Sequence, residues 1–522
     1  MNSKRTKPFS WAAGLRLPSV VTLAIASALA LSAACSVLVD RSATQCQTDN
    51  DCAHFGAHPT CQAGVCVSSG LGPANCFYGD PTQPADFLNQ CSNAQCLSFD
   101  NCQRLGVCGP DASFSPSLVA PQPLDGGTTT SKSSASEAGA LPNCVDPENG
   151  RGSAVVLTGS SNFPPLLAKL APLILATGYT PVYQVTSSCG GVASILSNDS
   201  AQMTLVDPAP GGKYAEYFQQ DGTAVPCSLG PQGQPVDVGE SDIFASTCAG
   251  YGPPGSGFAE YLGPIQAMTF VVPGASREQA ISAEAARAVF GMGGDGDAGT
   301  PWTDPNMYFV RNANTGTQQM IGLAIDVPPS AFWGIDRGSA SAVDSELRVI
   351  SDPNLAEQAI GIISADYYDA DRANLNALAF KAEGQDCAYL PDSSPFKKDK
   401  QNVRDGHYPI WGPIHFFAAI ANGLPVSPAA AAFVSVVSVP NLAQQLLNAF
   451  IASSLVPTCA MKVQRSVELG PLSTYDAPFQ CGCYFEATVN GSASPGCKAC
   501  STANDCTDPA HPACNLGYCE VQ

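Results

Sequence analysis

Residues 183–196 read YQVTSSCGGVASIL. A β-favouring run from Tyr183 passes through Thr186, Ser187, Ser188, Cys189, Gly190 and Gly191 into a segment able to start a helix. Strand, small polar loop and helix in that order aim backbone N–H groups at an anion, and two glycines let a backbone come close. The same letters also suit a plain tight turn, so the surrounding chain has to decide.

Upstream, AVVLTG (154–159) reads as a short buried strand. PPLLAKLAPLILA (164–176) then sets Leu166, Leu167, Leu170 and Leu173 on one helical stripe, with Pro164 and Pro165 suited to a first turn. PVYQVT (181–186) is the next strand. Strand, polar loop and helix recur from about Gly152 to Pro457, which predicts a largely parallel sheet with helices on both faces. In such sheets ligands sit at the carboxyl ends of the strands.

Four polar loops fall at such ends. Thr158 to Phe163 (TGSSNF) offers Ser160 and Ser161, with a helix N-cap as the plain reading. The opening stretch offers Ser187 and Ser188. DVGESDIFAS (237–246) puts Asp242 after a strand-like start. YFVRNANTGTQQMI (308–321) ends a strand at Arg311, turns through Thr315 and Gly316, and opens a helix at Thr317. Arginine beside a Gly/Thr loop suits bidentate recognition of a tetrahedral oxyanion.

Together these loops resemble the substrate-binding proteins of phosphate ABC transporters, the PstS-like branch of the periplasmic binding proteins. TGSSNF, YQVTSSCGG, GESD, MTFVVPG, AARAVFGMGGDGDAGTPWTDP, RNANTGT, IGIISADYY and YPIWGPIHF follow that family's order between residues 158 and 416. The resemblance implies a two-lobed α/β fold of the type II periplasmic-binding-protein kind, joined by crossing strands, which closes by a hinge on a buried oxyanion. By position, Ser160, Ser161, Ser187, Ser188, Asp242, Arg311, Thr315, Gly316 and Thr317 would line the cleft. Asp242 would accept a hydrogen bond from a protonated phosphate, Arg311 would neutralise charge, and hydroxyls and N–H groups at helix starts would complete the shell.

The chain also departs from that pattern. Ala313 stands where the family's arginine loop has Asp, Asn314 where Gly is usual, and Ser188-Cys189 where Gly is common. An insertion at about 209–234 contains Cys227. A free thiol in the cradle does not suit an oxidising compartment, so Cys189 is expected to pair with Cys227 or Cys248.

Lys4, Arg5, Lys7 and Arg16, an apolar run from Leu17 to Ala30, and Ser32-Ala33-Ala34 before Cys35 follow the plan of an export signal. A cysteine at that place resembles a bacterial lipobox, which predicts lipidation of Cys35 and a membrane anchor; a plain signal peptide ending nearby is the alternative. Of 23 cysteines, an acylated Cys35 leaves an even number to pair. Cysteines 46, 52, 61 and 66 and cysteines 500, 506, 514 and 519 follow C-x5-C-x8-C-x4-C and C-x5-C-x7-C-x4-C, one small module used twice and dependent on two bridges each. Cys76, Cys91, Cys96, Cys102 and Cys108 look like a degenerate relative. For Cys481, Cys483, Cys497 and Cys500, disulfides are expected in preference to zinc.

The predicted organisation is a signal at 1–34, cysteine-rich modules at 35–112, a tether at 113–150 rich in Ser, Thr, Pro, Gly and Ala, a solute-binding domain at 151–458, and a cysteine-rich module at 459–522. The apolar run 428–456 is broken by Pro440 and reads as core helices, too short to span a bilayer of about 30 Å. The formal charge of −20, or −24 without the four basic residues of the signal, argues against a nucleic-acid partner. A hydrolase G-x-S-x-G, H-E-x-x-H and a P-loop are missing, so no enzyme, metal or cofactor is expected. The expected function is extracytoplasmic binding of phosphate or a related oxyanion, with an ABC permease as a possible partner. The rival is a sensing or surface-interaction protein on a degenerate scaffold.

Overall fold

The computed structural model describes residues 60–62, 65–67, 76–77, 79–105, 118–121, 141–146, 153–209, 212–294, 299–438 and 443–521. The signal segment, Cys35, Cys46, Cys52, Cys108 and most of the tether lie outside them. The chain divides into two units, Met1–Gly70 and Leu71–Gln522. In the first, Thr60–Gln62 and Val65–Val67 form an antiparallel ribbon that sets Cys61 opposite Cys66. In the second, Ala513–Asn515 and Tyr518–Glu520 form the same ribbon with Cys514 opposite Cys519, and bridges Cys500–Cys514 and Cys506–Cys519 close that module. Shared spacing thus gives shared local pairing.

The second unit holds two α/β lobes. The first lobe comprises β1 (Ala154–Gly159), α1 (Pro164–Leu175), β2 (Thr180–Val185), α2 (Ser188–Leu196), β3 (Ala215–Phe218), β4 (Ala224–Cys227) and β5 (Val238–Ser241). Next come β6 (Phe258–Pro273), α3 (Ala283–Met292), β7 (Tyr308–Val310), α4 (Gly316–Ala324), β8 (Ile335–Asp336), α5 (Ala340–Leu347), β9 (Ile360–Ser364), β10 (Leu375–Ala377) and β11 (Trp411–Ala421). The chain closes with α6 (Pro428–Val437), α7 (Gln444–Ala452) and α8 (Gly482–Asn490).

The strands run in the order β8-β7-β9-β6-β11-β5-β1-β2-β3-β4, with β10 beside β6. Within each lobe the central pairs are parallel: β1 with β2 and β5, and β7 with β8 and β9. The sheet as a whole is mixed, which corrects the expectation of a largely parallel one. Two features bring in antiparallel pairing. Strands β6 and β11 pair with each other from Phe258↔Ala419 to Ala267↔Trp411. Then β6 continues onto β9 in the second lobe, while β11 continues onto β5 in the first. They are the crossing strands between the lobes. The insertion near 209–234 supplies the other feature, the β3-β4 hairpin laid antiparallel on β2.

The α1 stripe behaves as its spacing predicts: Leu166, Leu167 and Leu170 are buried, joined by Ala171 and Ile174, whereas Leu173 is half-buried. Full burial of one such leucine is worth roughly 1.5–3 kcal/mol. Helices α6 and α7 place Phe433, Leu446 and Phe450 in the same core as Val155 and Phe416, so the apolar run 428–456 forms core helices. Among the described residues no helix is long and apolar enough to cross a membrane.

Two glycines set the distance between α2 and β5. A Cβ on Gly191 would stand 1.8 Å from the Glu240 carbonyl oxygen, and one on Gly239 would stand 2.1 Å from the Gly191 oxygen. Only bare backbones can approach so closely, and this contact carries Ser188 to Asp242.

Cys189 pairs with Cys248, one of its two expected partners. Cys227 is taken by Cys144, which pins the hairpin. Cys96–Cys387 stitches the N-terminal cysteine segment to the second lobe. Cys76–Cys91, Cys459–Cys481 and Cys483–Cys497 are also bridged.

Candidate functional site

Asp242 stands just past the end of β5, 1% exposed. Its Oδ2 accepts hydrogen bonds from Ser160 Oγ at 2.5 Å, Asn162 Nδ2 at 3.0 Å and Ser188 Oγ at 3.3 Å. Asn162 Nδ2 also reaches Thr317 Oγ1 at 3.3 Å. Ser188 Oγ accepts the Gly316 N–H at 2.8 Å, and Cys189 N–H donates to the Asn314 carbonyl at 3.2 Å. The first-lobe loops and the arginine loop of the second lobe are therefore bonded directly to each other. Burial raises the Asp242 pKa, while the hydroxyl donors and the Arg311 charge oppose that rise. Its Oδ1 is buried and has no hydrogen-bond partner.

Arg311 follows β7 and is 1% exposed. Its backbone N–H donates to Gln318 Oε1 at 2.9 Å, and Nη2 donates to Ser161 Oγ at 2.8 Å. Nε and Nη1 are buried without a partner. Burial lowers the Arg311 pKa, and the charge of Asp242 works against this first, followed by Tyr367 and Asp336. The site therefore holds an arginine with two unused donors near a carboxylate with one unused oxygen.

Of the nine positions carried over from the resemblance, Ser160, Ser188, Asp242, Gly316 and Thr317 meet in this buried network, and Ser161 joins Arg311. Ser187 does not enter it: its Oγ caps α2 by accepting the Gly190 N–H at 2.9 Å. Thr315 turns its hydroxyl back to the Asn312 carbonyl at 2.8 Å.

Glu240 was not among the positions read from sequence. Its Oε2 accepts the Ser160 N–H at 2.7 Å and lies 2.8 Å from Tyr183 Oη, which is also 2.7 Å from the Ser160 carbonyl. The one phenol proton of Tyr183 is shared between the Ser160 carbonyl and the Glu240 carboxyl, both of which accept it. Burial, followed by the Asp242 charge, pushes the Glu240 pKa well up, against the Tyr183 and Ser160 hydrogen bonds, which lower it. Period-two alternation sets residues 240 and 242 on one face, the only sequence signal for it.

Two more acids come from distant segments. Glu468 Oε2 accepts the Phe244 N–H at 3.1 Å, and burial pushes its pKa up to about 8. Asp366 accepts from Gln266 Nε2 at 3.0 Å and is pushed up to about 7, again by burial first. Glu468 carries no local motif, and Asp366 lies in the IGIISADYY stretch (360–368) without standing out there as a site residue.

Above Ser161 a cavity of about 370 Å³ opens between the lobes. Tyr183, Lys213 and Tyr214 just before β3, and Glu216 on β3 line it from the first lobe, and Tyr367 lines it from the second.

No family model matches the chain, and no curated protein matches it. Solved structures similar to it include an ABC-type phosphate transport receptor from Vibrio cholerae, 12% identical over 58% of this chain and 99% of that one, with a TM-score of 0.38. PstS from Borrelia burgdorferi is 12% identical over 58% and 98%, with a TM-score of 0.33. A Corynebacterium glutamicum OxyR C206 mutant is 10% identical over 61% and 67%, with a TM-score of 0.31. With TM-scores below 0.5, these likenesses carry no functional argument for this chain.

Proposed function

We propose that this chain is an extracytoplasmic solute-binding protein that holds phosphate or a related tetrahedral oxyanion between its lobes, without chemistry, and is tethered to a bacterial membrane through a lipidated Cys35. The observation that carries this reading is Arg311. A buried cation whose donors are unpaired costs several kcal/mol, and an oxyanion is the partner that would satisfy both Nε and Nη1. Asp242 Oδ1 would accept the proton of a protonated oxyanion. An ABC permease would be the partner of such a receptor.

The direct Ser188–Gly316 and Cys189–Asn314 bonds favour a second reading. In it the loops that would cradle an ion cap each other, and the scaffold serves surface interaction or sensing through its cysteine-rich modules. Isothermal titration with phosphate, sulfate, arsenate and molybdate separates the two. The receptor reading expects micromolar or tighter binding that Arg311→Ala loses. No heat from any of the ions, on folded protein freed of carried-over ligand, would leave the second reading standing.

A further inference from the structure

We infer that a second cavity, bounded by crossing strand β6, the end of α6 and the C-terminal disulfide loop, binds a small organic ammonium ion. The site is separate from the interlobe cleft and does not depend on what the cleft holds.

The cavity measures about 350 Å³, within the range of about 300–1,000 Å³ that organic ligands occupy. Every polar feature of its lining favours a positive charge. Glu260 on β6 supplies a carboxylate. Its Oε1 lies 2.7 Å from Nδ1 of His415, which is 0% exposed and packs between Phe244 and Phe417, with ring centroids 4.4 and 6.0 Å away. His415 Nε2 is buried without a partner. A second ring proton would therefore be an unpaired buried N–H, so the neutral imidazole fits and Glu260 keeps its charge. Its other oxygen bonds to no described residue.

Three aromatic side chains line the same cavity, Tyr261 beside Glu260 on β6 and Tyr475 and Phe479 from the C-terminal loop. All three are half-buried, so part of each ring is held by the protein and part is left to the cavity. Aromatic faces attract ammonium groups within about 6 Å of the ring centroid. Helix α6 ends on the cavity, with Val437 and Ser438 in its lining, which brings the negative end of the helix dipole to it. No lysine, arginine or histidine is among the lining residues, and the formal charge of −20 draws cations toward the chain. An anion would meet the Glu260 charge, and a neutral ligand would leave it unused.

The walls are also set in advance. Cys459–Cys481 closes the loop that carries Tyr475 and Phe479. The Cys481 N–H donates to the Cys459 carbonyl at 3.0 Å, and the Tyr475 N–H donates to the Lys462 carbonyl at 2.8 Å. Walls fixed in this way lose little freedom on binding. The C-terminal cysteine-rich segment thus supplies half of a ligand site.

The test is calorimetric titration of the full chain with choline, with benzyltrimethylammonium, and with choline's neutral counterpart, the alcohol that has carbon in place of the nitrogen. It is repeated on Glu260→Gln, which keeps an acceptor for His415, and on Tyr475→Leu, which keeps an apolar wall; melting curves confirm that each variant is folded. The expected result is saturable binding of both ammonium ions, with the neutral alcohol at least tenfold weaker than choline. Glu260→Gln should weaken choline at least tenfold and leave the neutral alcohol within twofold. Tyr475→Leu should weaken both ammonium ions at least fivefold, and it carries the test alone if Glu260→Gln does not fold. The neutral alcohol binding as tightly as choline would overturn the inference and make the cavity an apolar cleft. Binding of neither ammonium ion to the folded parent would overturn it, as would affinities that the folded variants leave unchanged.

Discussion

Ser188 Oγ accepts the Gly316 N–H at 2.8 Å while donating to Asp242 Oδ2 at 3.3 Å, so one hydroxyl ties the start of α2 to the start of α4 and to the end of β5. Those elements belong to opposite lobes, which makes this serine a latch. Ser188→Ala would leave a buried N–H unpaired and remove one donor from a buried carboxylate, at a cost of about 1–3 kcal/mol. Thermal melting should show the loss. Ser188→Thr, which restores the hydroxyl, should recover part of it. An unchanged melting temperature in Ser188→Ala would show that the loops are not held by this contact.

The Cys189–Cys248 bridge holds the other side of the same loop. It closes a loop of 59 residues, for which the chain-entropy account gives about 4 kcal/mol as a ceiling. A Cys189→Ala/Cys248→Ala double variant should melt at a lower temperature than the parent under oxidising conditions and lose the difference when both are reduced. Non-reducing peptide mapping should recover Cys189 with Cys248, and Cys144 with Cys227. A Cys189–Cys227 peptide would contradict the pairing directly.

In the first lobe β1, α1, β2 and α2 were readable because each carries a local signal, whereas the β3-β4 hairpin was legible only as an insertion. The leucines of α1 fall at helical spacing, Ser187 caps α2, and small residues at 190 and 191 permit close packing. The mixed character of the sheet was not readable. Nothing in the residues of β6 or β11 states that one strand serves two lobes, since a crossing strand and an ordinary buried strand are equally apolar. At the site, Asp242 and Arg311 stood out as charges at strand ends. Glu468, 226 residues beyond Asp242, reaches the backbone of Phe244 from a segment expected to form part of a separate module. Proximity of that kind is made by the tertiary fold, and no spacing rule encodes it.

Glu468 also predicts how stability depends on pH. Burial raises its folded-state pKa to about 8 from an ordinary 4.5. Below about pH 4.5 it is protonated both folded and unfolded, and its contribution is fully present. As pH rises, the unfolded chain ionises first, so stability falls until the folded group ionises near pH 8. Asp366, pushed up to about 7, adds a loss in the same direction from its ordinary 3.8 upward. Glu468→Gln should therefore flatten the decline in melting temperature between pH 5 and 8 and melt higher than the parent at pH 8. A parallel decline in parent and variant would place the titrating group elsewhere.

Arg311 gives the sharpest separation between stability and binding. It is 1% exposed, and two of its donor nitrogens lack hydrogen-bond partners among the described residues. Arg311→Met keeps most of the length and volume and removes a buried cation whose desolvation costs several kcal/mol, against the loss of the Ser161 bond and of the attraction to Asp242. The ligand-free variant should melt at or above the parent. With an oxyanion present at a hundred times its dissociation constant, the parent should gain about 2.7 kcal/mol by mass action, whereas the variant should gain nothing. A crossing of the two melting temperatures as ligand is added would mark Arg311 as a residue kept for binding at a cost to the fold. A variant that is less stable and still gains from ligand would instead make Arg311 a structural residue, held by Ser161 and Gln318 for packing.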